Sequence, residues 1–301
     1  MNNRKRQVIE SSLQLFTEKG FQNTSIQDIL ERANISKGTF YNYFSSKNEC
    51  FMAILEQSRY EASLRRHELL VGKDKQDIDV LIEQIIVIMK INEEQNLITL
   101  FEGVIKSTDK ELKRTLANHR LFEIEWLMER FTDVFGEEVR PYTFECGIIF
   151  WGMVNHLSMT WRNVYETQIE AKRLVRIALR NIQALLPTLI KENDVLLGPD
   201  IVHLLSKKMQ QKPIEKDELT EQLQGFINRL DNEPNIIGEQ FASCLAEEFS
   251  LATPRTHVIE VLLKPFREAF SNTSHEAASI DLANMMWYYL NTMTKSGEAD
   301  C

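Results

Sequence analysis

The 301 residues, 43% hydrophobic and 26% charged, suffice for two or three domains with ample core. A net charge of −9 (35 Lys/Arg against 44 Asp/Glu) argues against nonspecific coating of nucleic acid by the whole chain. Cys50, Cys146, Cys244 and Cys301 form no CxxC pair and no apolar run approaches 18 residues, which excludes a disulfide scaffold and a membrane span and suits a reducing cytoplasm.

The chain opens polar and basic and leads directly into an amphipathic helix, so no signal peptide is expected. Val8, Ile9, Ser12, Leu13 and Phe16 form its stripe, and Gly20 ends it at the position of a C′ glycine. In the next helix Ile26, Ile29, Leu30 and Ala33 recur at i, i+3, i+4 and i+7. Thr24 or Ser25 can serve as its N-cap, and Gln27 lies three residues after Thr24, as a capping box requires. Asn34 follows the stripe and tolerates the left-handed backbone of a sharp turn. Ser36 then caps a third helix, with Ile35 and Phe40 forming a hydrophobic staple. Phe40 and Phe44, four apart, face inward, which leaves Lys37, Gly38, Thr39, Tyr41 and Asn42 on the open side. Ser46-Lys47-Asn48-Glu49 reads as another capping box, opening a long helix through Phe51, Ile54 and Leu55 toward about Leu70. Residues 4–44 are therefore expected to form a three-helix bundle joined to a fourth helix.

The open side of the third helix suits DNA. N-terminal N–H groups and the positive dipole end attract phosphate. Gly38 allows close backbone approach, Lys37 can reach guanine acceptors, Thr39 and Tyr41 can touch a thymine methyl, and Asn42 can pair with adenine. Tyr43, Lys47, Thr24, Ser25 and the cap Ser36 complete the expected contact set, gripping the flanking phosphates. Charge agrees: residues 1–48 hold seven Lys/Arg and four Asp/Glu, net +3, in an acidic protein.

The series Leu15-Phe16…Gly20-Phe21…Thr24-Ser25-Ile26…Asp28-Ile29…Ser36-Lys37-Gly38-Thr39-Phe40-Tyr41…Tyr43-Phe44…Lys47…Phe51 resembles the N-terminal domain of the tetracycline-repressor (TetR) family over about 50 residues. Asn34 stands where that family usually has glycine, and Leu30 where alanine is common. The resemblance implies an all-α homodimeric repressor of double-stranded operator DNA, whose C-terminal domain binds a small effector. It says little about which effector.

Beyond residue 74 the pattern stays helical: 78–91, 96–107, a helix capped by Asp109 and ended by Gly136, then 141–164 and 167–186, the last stopped by Pro187. The 141–164 segment is apolar on nearly every side and is expected to be buried all round. In the family the last two of these helices pair with their copies, and Gly147 and Gly152 would permit close approach. Residues 191–199 read as a connection to further helices near 200–211, 216–231, 235–250, 255–271 and 276–295, with linkers at Pro213, Pro234 and Pro254. The expected division is a DNA-binding domain at 1–48, an effector and dimerisation domain at 49–190, and a helical extension at 191–301 carrying net −8.

Phe101, Phe122, Trp126, Phe131, Trp151 and Met153, with Asn155 and His156 as polar groups, are the candidate lining of a cavity for a small, hydrophobic effector. The bland alternative is that the aromatics fill the core and His156 is a satisfied core histidine. The six histidines are singletons without metal-ligand spacing, and neither a glycine-rich phosphate loop nor a GxSxG elbow occurs, so no metal, cofactor or enzymatic activity is expected. Cys50, Cys146 and Cys244 read as buried thiols. A second functional class remains open: a regulator controlled by a protein partner through the extension.

Overall fold

A computed structural model describes residues 3–193, 195–198, 214–230 and 235–297, and every regular element among them is helical. The helices are α1 (Asn3–Glu18), α2 (Ile26–Arg32), α3 (Lys37–Tyr43), α4 (Lys47–Leu70), α5 (Ile78–Glu94), α6 (Leu97–Lys106), α7 (Lys110–Phe135), α8 (Thr143–Tyr165) and α9 (Ala171–Glu192). A 3-10 turn (Glu137–Tyr142) precedes α8, and α10 (Lys216–Leu230), α11 (Ile236–Ser250), α12 (Thr256–Ala269) and α13 (Glu276–Gly297) follow. The helix expected near 200–211, the linker residues Pro199, Pro213 and Pro234, and Cys301 lie outside the described residues.

The described residues fall into two compact units, one drawn from 1–64 and 211–301, the other from 65–210. This cuts the chain differently from the three sequence-derived segments. The extension shares a unit with the N-terminal helices, and α4 contributes to both units.

In the first unit, Phe16, Phe21 and Phe51 meet edge to ring beneath α1, with centroids 4.8 and 5.8 Å apart along the series. The extension is a four-helix bundle in which α10 meets α11 and α13, α11 meets α12, and α12 meets α13. Phe226 packs its ring 5.1 Å from Phe270 and 5.7 Å from Phe266. A Cβ on Gly238 would lie 2.5 Å from Phe270 Cζ, so glycine is what lets α11 approach this closely. The bundle core continues into α4: Leu64 belongs to it, and Trp287 Nε1 donates to Ser63 Oγ at 2.6 Å. Gln57 Nε2 donates to Asp281 Oδ1 at 3.3 Å, and the Tyr60 and Tyr288 rings stack at 4.8 Å. Burial pushes the Asp281 carboxyl up to about 6.

In the second unit α5, α7, α8 and α9 enclose Leu81, Ile85, Leu127, Phe131, Phe150, Leu179 and Ile182. A polar chain crosses it. Arg66 Nη2 donates to Glu123 Oε2 at 2.6 Å and lies 3.7 Å over the Trp126 ring, while Gln84 exchanges hydrogen bonds with Arg66 and accepts one from Arg130 Nε at 2.9 Å. All four polar side chains are buried, so the paired arrangement satisfies groups that would otherwise be expensive to bury. Gln84, polar within the apolar run of α5, was the sequence signal for this network.

Several expectations need correction. Pro187 does not stop α9, which continues to Glu192 and ends where Asn193 turns left-handed at φ 50°. Leu186 just before the proline is buried and Leu189 just after it packs against the same core, and this packing outweighs the hydrogen bond the proline removes. The α8 helix is not buried all round: Phe144, Cys146, Phe150 and Val154 are inside, but Leu157, Met159, Val164 and Tyr165 are exposed. Gly147 faces α7, where a Cβ would sit 3.0 Å from Ile124 Cγ2, and a Cβ on Gly152 would meet nothing within 4 Å. Cys244 is exposed, whereas Cys50 is buried, with its thiol pushed up to about 12 by that burial.

Candidate nucleic-acid interface

The hinge between α2 and α3 is a complete C-terminal cap. Asn34 adopts φ 48°, its N–H donates to Glu31 O at 3.2 Å, and Ile35 N–H donates to Leu30 O at 3.1 Å, the paired bonds of a Schellman motif. Asparagine thus does what glycine would do in this turn. On the far side Ser36 Oγ accepts Thr39 N–H at 3.1 Å, the expected N-cap of α3. The inward Phe40 and Phe44 are buried, rings 5.9 Å apart, and fix the rotation of α3 about its axis.

The start of α2 is settled in favour of Ser25. Its Oγ accepts Asp28 N–H at 3.1 Å and Asp28 Oδ2 accepts Ser25 N–H at 2.7 Å, so the box partner is Asp28 and not Gln27. Lys19 Nζ reaches Asp28 Oδ1 at 2.7 Å. The Lys19 ammonium, and then the Ser25 hydrogen bonds, hold the Asp28 carboxyl well below its usual range. Thr24 is only 1% exposed and turns inward: its hydroxyl donates to Gly20 O at 2.9 Å and Leu15 O at 3.2 Å. Lys47 likewise points back into the domain. Its Nζ donates to Phe21 O and Thr24 O, both at 2.7 Å, and sits 4.3 Å over the Phe21 ring. The geometry therefore gives Thr24 and Lys47 the job of holding the α1–α2 turn. The box opening α4 is also shifted: Glu49 N–H donates to Ser46 Oγ, while its carboxylate accepts from Ser45 N–H rather than Ser46.

The outward set is brought together as expected. Lys37, Gly38, Tyr41 and Asn42 are exposed on one side of α3, with Thr39 partly exposed beside Ser36. Lys37 Nζ lies 5.9 Å from the Tyr41 ring centre. Tyr43 is half-buried against Phe44. A Cβ on Gly38 would meet only Ser36 Oγ, at an ordinary 3.8 Å, and its φ is not left-handed. Among the described residues nothing requires glycine there.

The candidate effector residues are more scattered. Phe131 is fully buried, with its ring 5.7 Å from Phe135 and 6.1 Å from Phe150. Phe101, Phe122, Trp126, Trp151 and Met153 are half-buried. Asn155 and His156 are exposed on the outer turn of α8, so His156 is neither a core histidine nor turned toward Phe131. Among the described residues no group of three or more His, Cys, Asp or Glu is placed to hold a metal ion, and no helix is long and apolar enough to cross a membrane.

Known proteins share this head. The family profile described as "Bacterial regulatory proteins, tetR family" matches residues 8–54, which spans α1, α2, α3 and the first turns of α4. Residues 8–54 form a TetR-family DNA-binding head. The HTH-type transcriptional regulator YuxN of Bacillus subtilis (strain 168) is 23% identical over 278 residues, covering 89% of this chain and 94% of that protein. YerO of the same organism is 25% identical over 282 residues, covering 87% and 89%. The likeness to both extends well past the head. A crystal structure of a TetR-family transcriptional regulator from Mesorhizobium loti aligns with a TM-score of 0.47 at 16% identity, over 60% of this chain and 96% of that one. The head and the full-length relatives together make the chain a DNA-binding transcriptional regulator.

Proposed function

We propose that this TetR-family chain acts in the cytoplasm as a homodimeric repressor of a palindromic operator and is released by a small effector. The observation that carries the DNA reading is the outward face of α3. Lys37, Gly38, Thr39, Tyr41 and Asn42 stand together at the helix N-terminus, and Gly38 is unexplained by internal packing. Ser25, Ser36 and Tyr43 lie at the ends of α2 and α3, where they reach flanking phosphates. Dimerisation is supported by the second half of α8, which exposes Leu157, Met159, Val164 and Tyr165, and by Ile190 on α9.

We infer an effector site among α6, α7 and α8, near Phe101, Phe122, Trp126, Trp151 and Met153. Trp151 Nε1 and Asn92 Oδ1 are buried without a hydrogen-bond partner, so a ligand polar atom would complete either. Release runs through α4, a single helix that begins at the head and ends beside Arg66 and its buried partners. An effector that binds the released form about 100-fold better than the operator-bound form supplies about 2.7 kcal/mol of coupling. Reciprocity provides the experiment: titrate candidate compounds with and without operator duplex. An inducer loses affinity by the same factor by which it weakens DNA binding, and a compound that binds equally in both titrations is not one.

A second reading, control by a protein partner through the extension, draws support from the bundle's packing on Ser63 and Leu64 of α4. A partner that binds α10–α13 and changes operator affinity without any small molecule would favour it.

A further inference from the structure

The extension has a core of its own. Leu223 and Phe226 of α10, Leu245 and Phe249 of α11, and Leu263 and Phe266 of α12 close it together with α13. Among the described residues α4 gives this core a single buried apolar side chain, Leu64. The rest of the contact between α4 and α13 is polar or aromatic. Gln57 donates to Asp281, Tyr60 stacks on Tyr288, and Ser63 accepts from Trp287, so the seam runs along α4 from Gln57 to Leu64. Arg59 lies 5.0 Å from the Tyr60 ring centre and 5.9 Å from that of Tyr288.

Two side chains on the α13 side of this seam are buried without being satisfied. Asp281 and Asn284 are 6% and 2% exposed, yet Asp281 Oδ2 and both amide atoms of Asn284 have no hydrogen-bond partner among the described residues. Asp281, Asn284 and Tyr288 follow at i, i+3 and i+7 on one face of α13, with Leu282 and Met286 turned into the bundle. Closing the seam strips these polar groups of water and returns too few hydrogen bonds. It is therefore held weakly, while the apolar bundle behind it is held firmly. Ionisation of Asp281 makes closure costlier still. Burial raises this carboxyl, the chain's amino group and Arg6 of α1 draw it down, and Glu10 of α1 and Glu61 of α4 raise it, leaving it at about 6.

We propose that the α4–α13 seam is a releasable clamp: the extension leaves and re-docks on α4 as a folded bundle, ionised Asp281 favours release, and the docked form favours operator binding. The last part alone rests on the DNA reading of α3. The seam grips α4 just beyond Phe51, whose ring meets Phe21 of the head. A docked extension thus steadies the helix that carries the head, and order imposed before binding is not charged to the DNA step. The sign for pH follows from the raised carboxyl: docking is favoured in acid, and that advantage fades as pH rises toward and past 6.

Thiol labelling of the full chain with a maleimide tests it, using Asn284→Cys on the seam and Met286→Cys on the bundle side of the same helix. Replacing Asn284 removes no hydrogen bond made within the described residues, and the buried native Cys50 reports any opening of the head. Asn284→Cys should react at least 10-fold faster than Met286→Cys or Cys50. Corrected for thiol ionisation, its rate should rise about 10-fold from pH 5 to 7.5, and adding Asp281→Asn should abolish that rise. Saturating duplex, enriched from a random pool, should slow the Asn284→Cys reaction at least 3-fold, by reciprocity of the coupling. Equal rates at the two positions of α13 would show that no separable seam exists. A pH rise that survives Asp281→Asn, or a bound duplex that leaves the rate unchanged, also overturns the proposal. If the chain binds no duplex, the DNA reading falls, and the comparison of positions and the Asp281→Asn arm still decide the clamp.

Discussion

The head formed by α1–α3 and the hairpin of α8 and α9 treat their surfaces in opposite ways. In the head, polar side chains that turn inward have short, specific partners: Thr24 on two carbonyls, Lys47 on two more, Ser25 and Asp28 on each other. What remains outside is polar or aromatic with a hydroxyl. On α8 the outside is Leu157, Met159, Val164 and Tyr165, the last two 64% and 58% exposed. The first surface is stable in water and suited to a hydrated, charged groove. The second is suited to another protein surface. On the proposed reading one chain carries two recognition faces of different chemistry, and each can be broken separately.

The largest effects should come from the residues that hold the head together. Phe40→Ala empties a fully buried ring site and is expected to cost about 3–5 kcal/mol, read as lost hydrogen-exchange protection in α1–α3. Lys47→Ala leaves the Phe21 and Thr24 carbonyls without their donor and should destabilise the head by about 1–3 kcal/mol in denaturant titration. If it changed only the salt dependence of DNA binding, the inward placement of Lys47 would be wrong. On the other face, Met159→Asp should produce monomers by sedimentation while leaving the melting of the head unchanged. Lys37→Ala should weaken operator binding by about 1–3 kcal/mol and relax preference at one base pair, with stability untouched.

The smallest effects are those of pH, and two carboxyls of the first unit act with opposite signs. Asp28 is held below its ordinary value of 3.8, so its stabilisation is present above that pH and is lost as pH falls through and below it. Asp281 is raised from 3.8 to about 6, so it favours the folded form at low pH and that advantage is lost as pH rises from about 4 to 6. Stability measured from pH 3 to 7 should therefore lose its acid-side slope in Asp28→Asn and its descending slope in Asp281→Asn. A profile unchanged by either substitution would contradict the surroundings given to these groups.

The head was legible because its determinants are local. The left-handed turn at Asn34, the Ser36 cap and the inward Phe40 and Phe44 all act within a few residues, and the sequence shows them side by side. Thr24 and Lys47 were less legible for the same reason in reverse: Lys47 finds its acceptors 23 and 26 residues away, across a turn whose carbonyl directions no spacing rule reveals. The docking of α13 on α4, where Trp287 meets Ser63 across 224 residues, lies further still from any local pattern. On α8 the composition was read correctly as apolar, but a periodicity cannot say whether such a face is covered by the same chain or by another. The persistence of α9 through Pro187 is a case of tertiary burial overriding a strong local signal.

The central claim is that the outward face of α3 reads a two-fold DNA site. Selection from a random duplex pool tests it directly, performed in parallel with the native chain and with Lys37→Ala. The native chain should enrich an inverted repeat whose half-sites are spaced by about one helical turn, roughly 34–36 Å, or a multiple. The variant should enrich the same repeat with one symmetric position degenerate in both halves. Enrichment of no inverted repeat, or of an identical sequence by both proteins, would contradict the account.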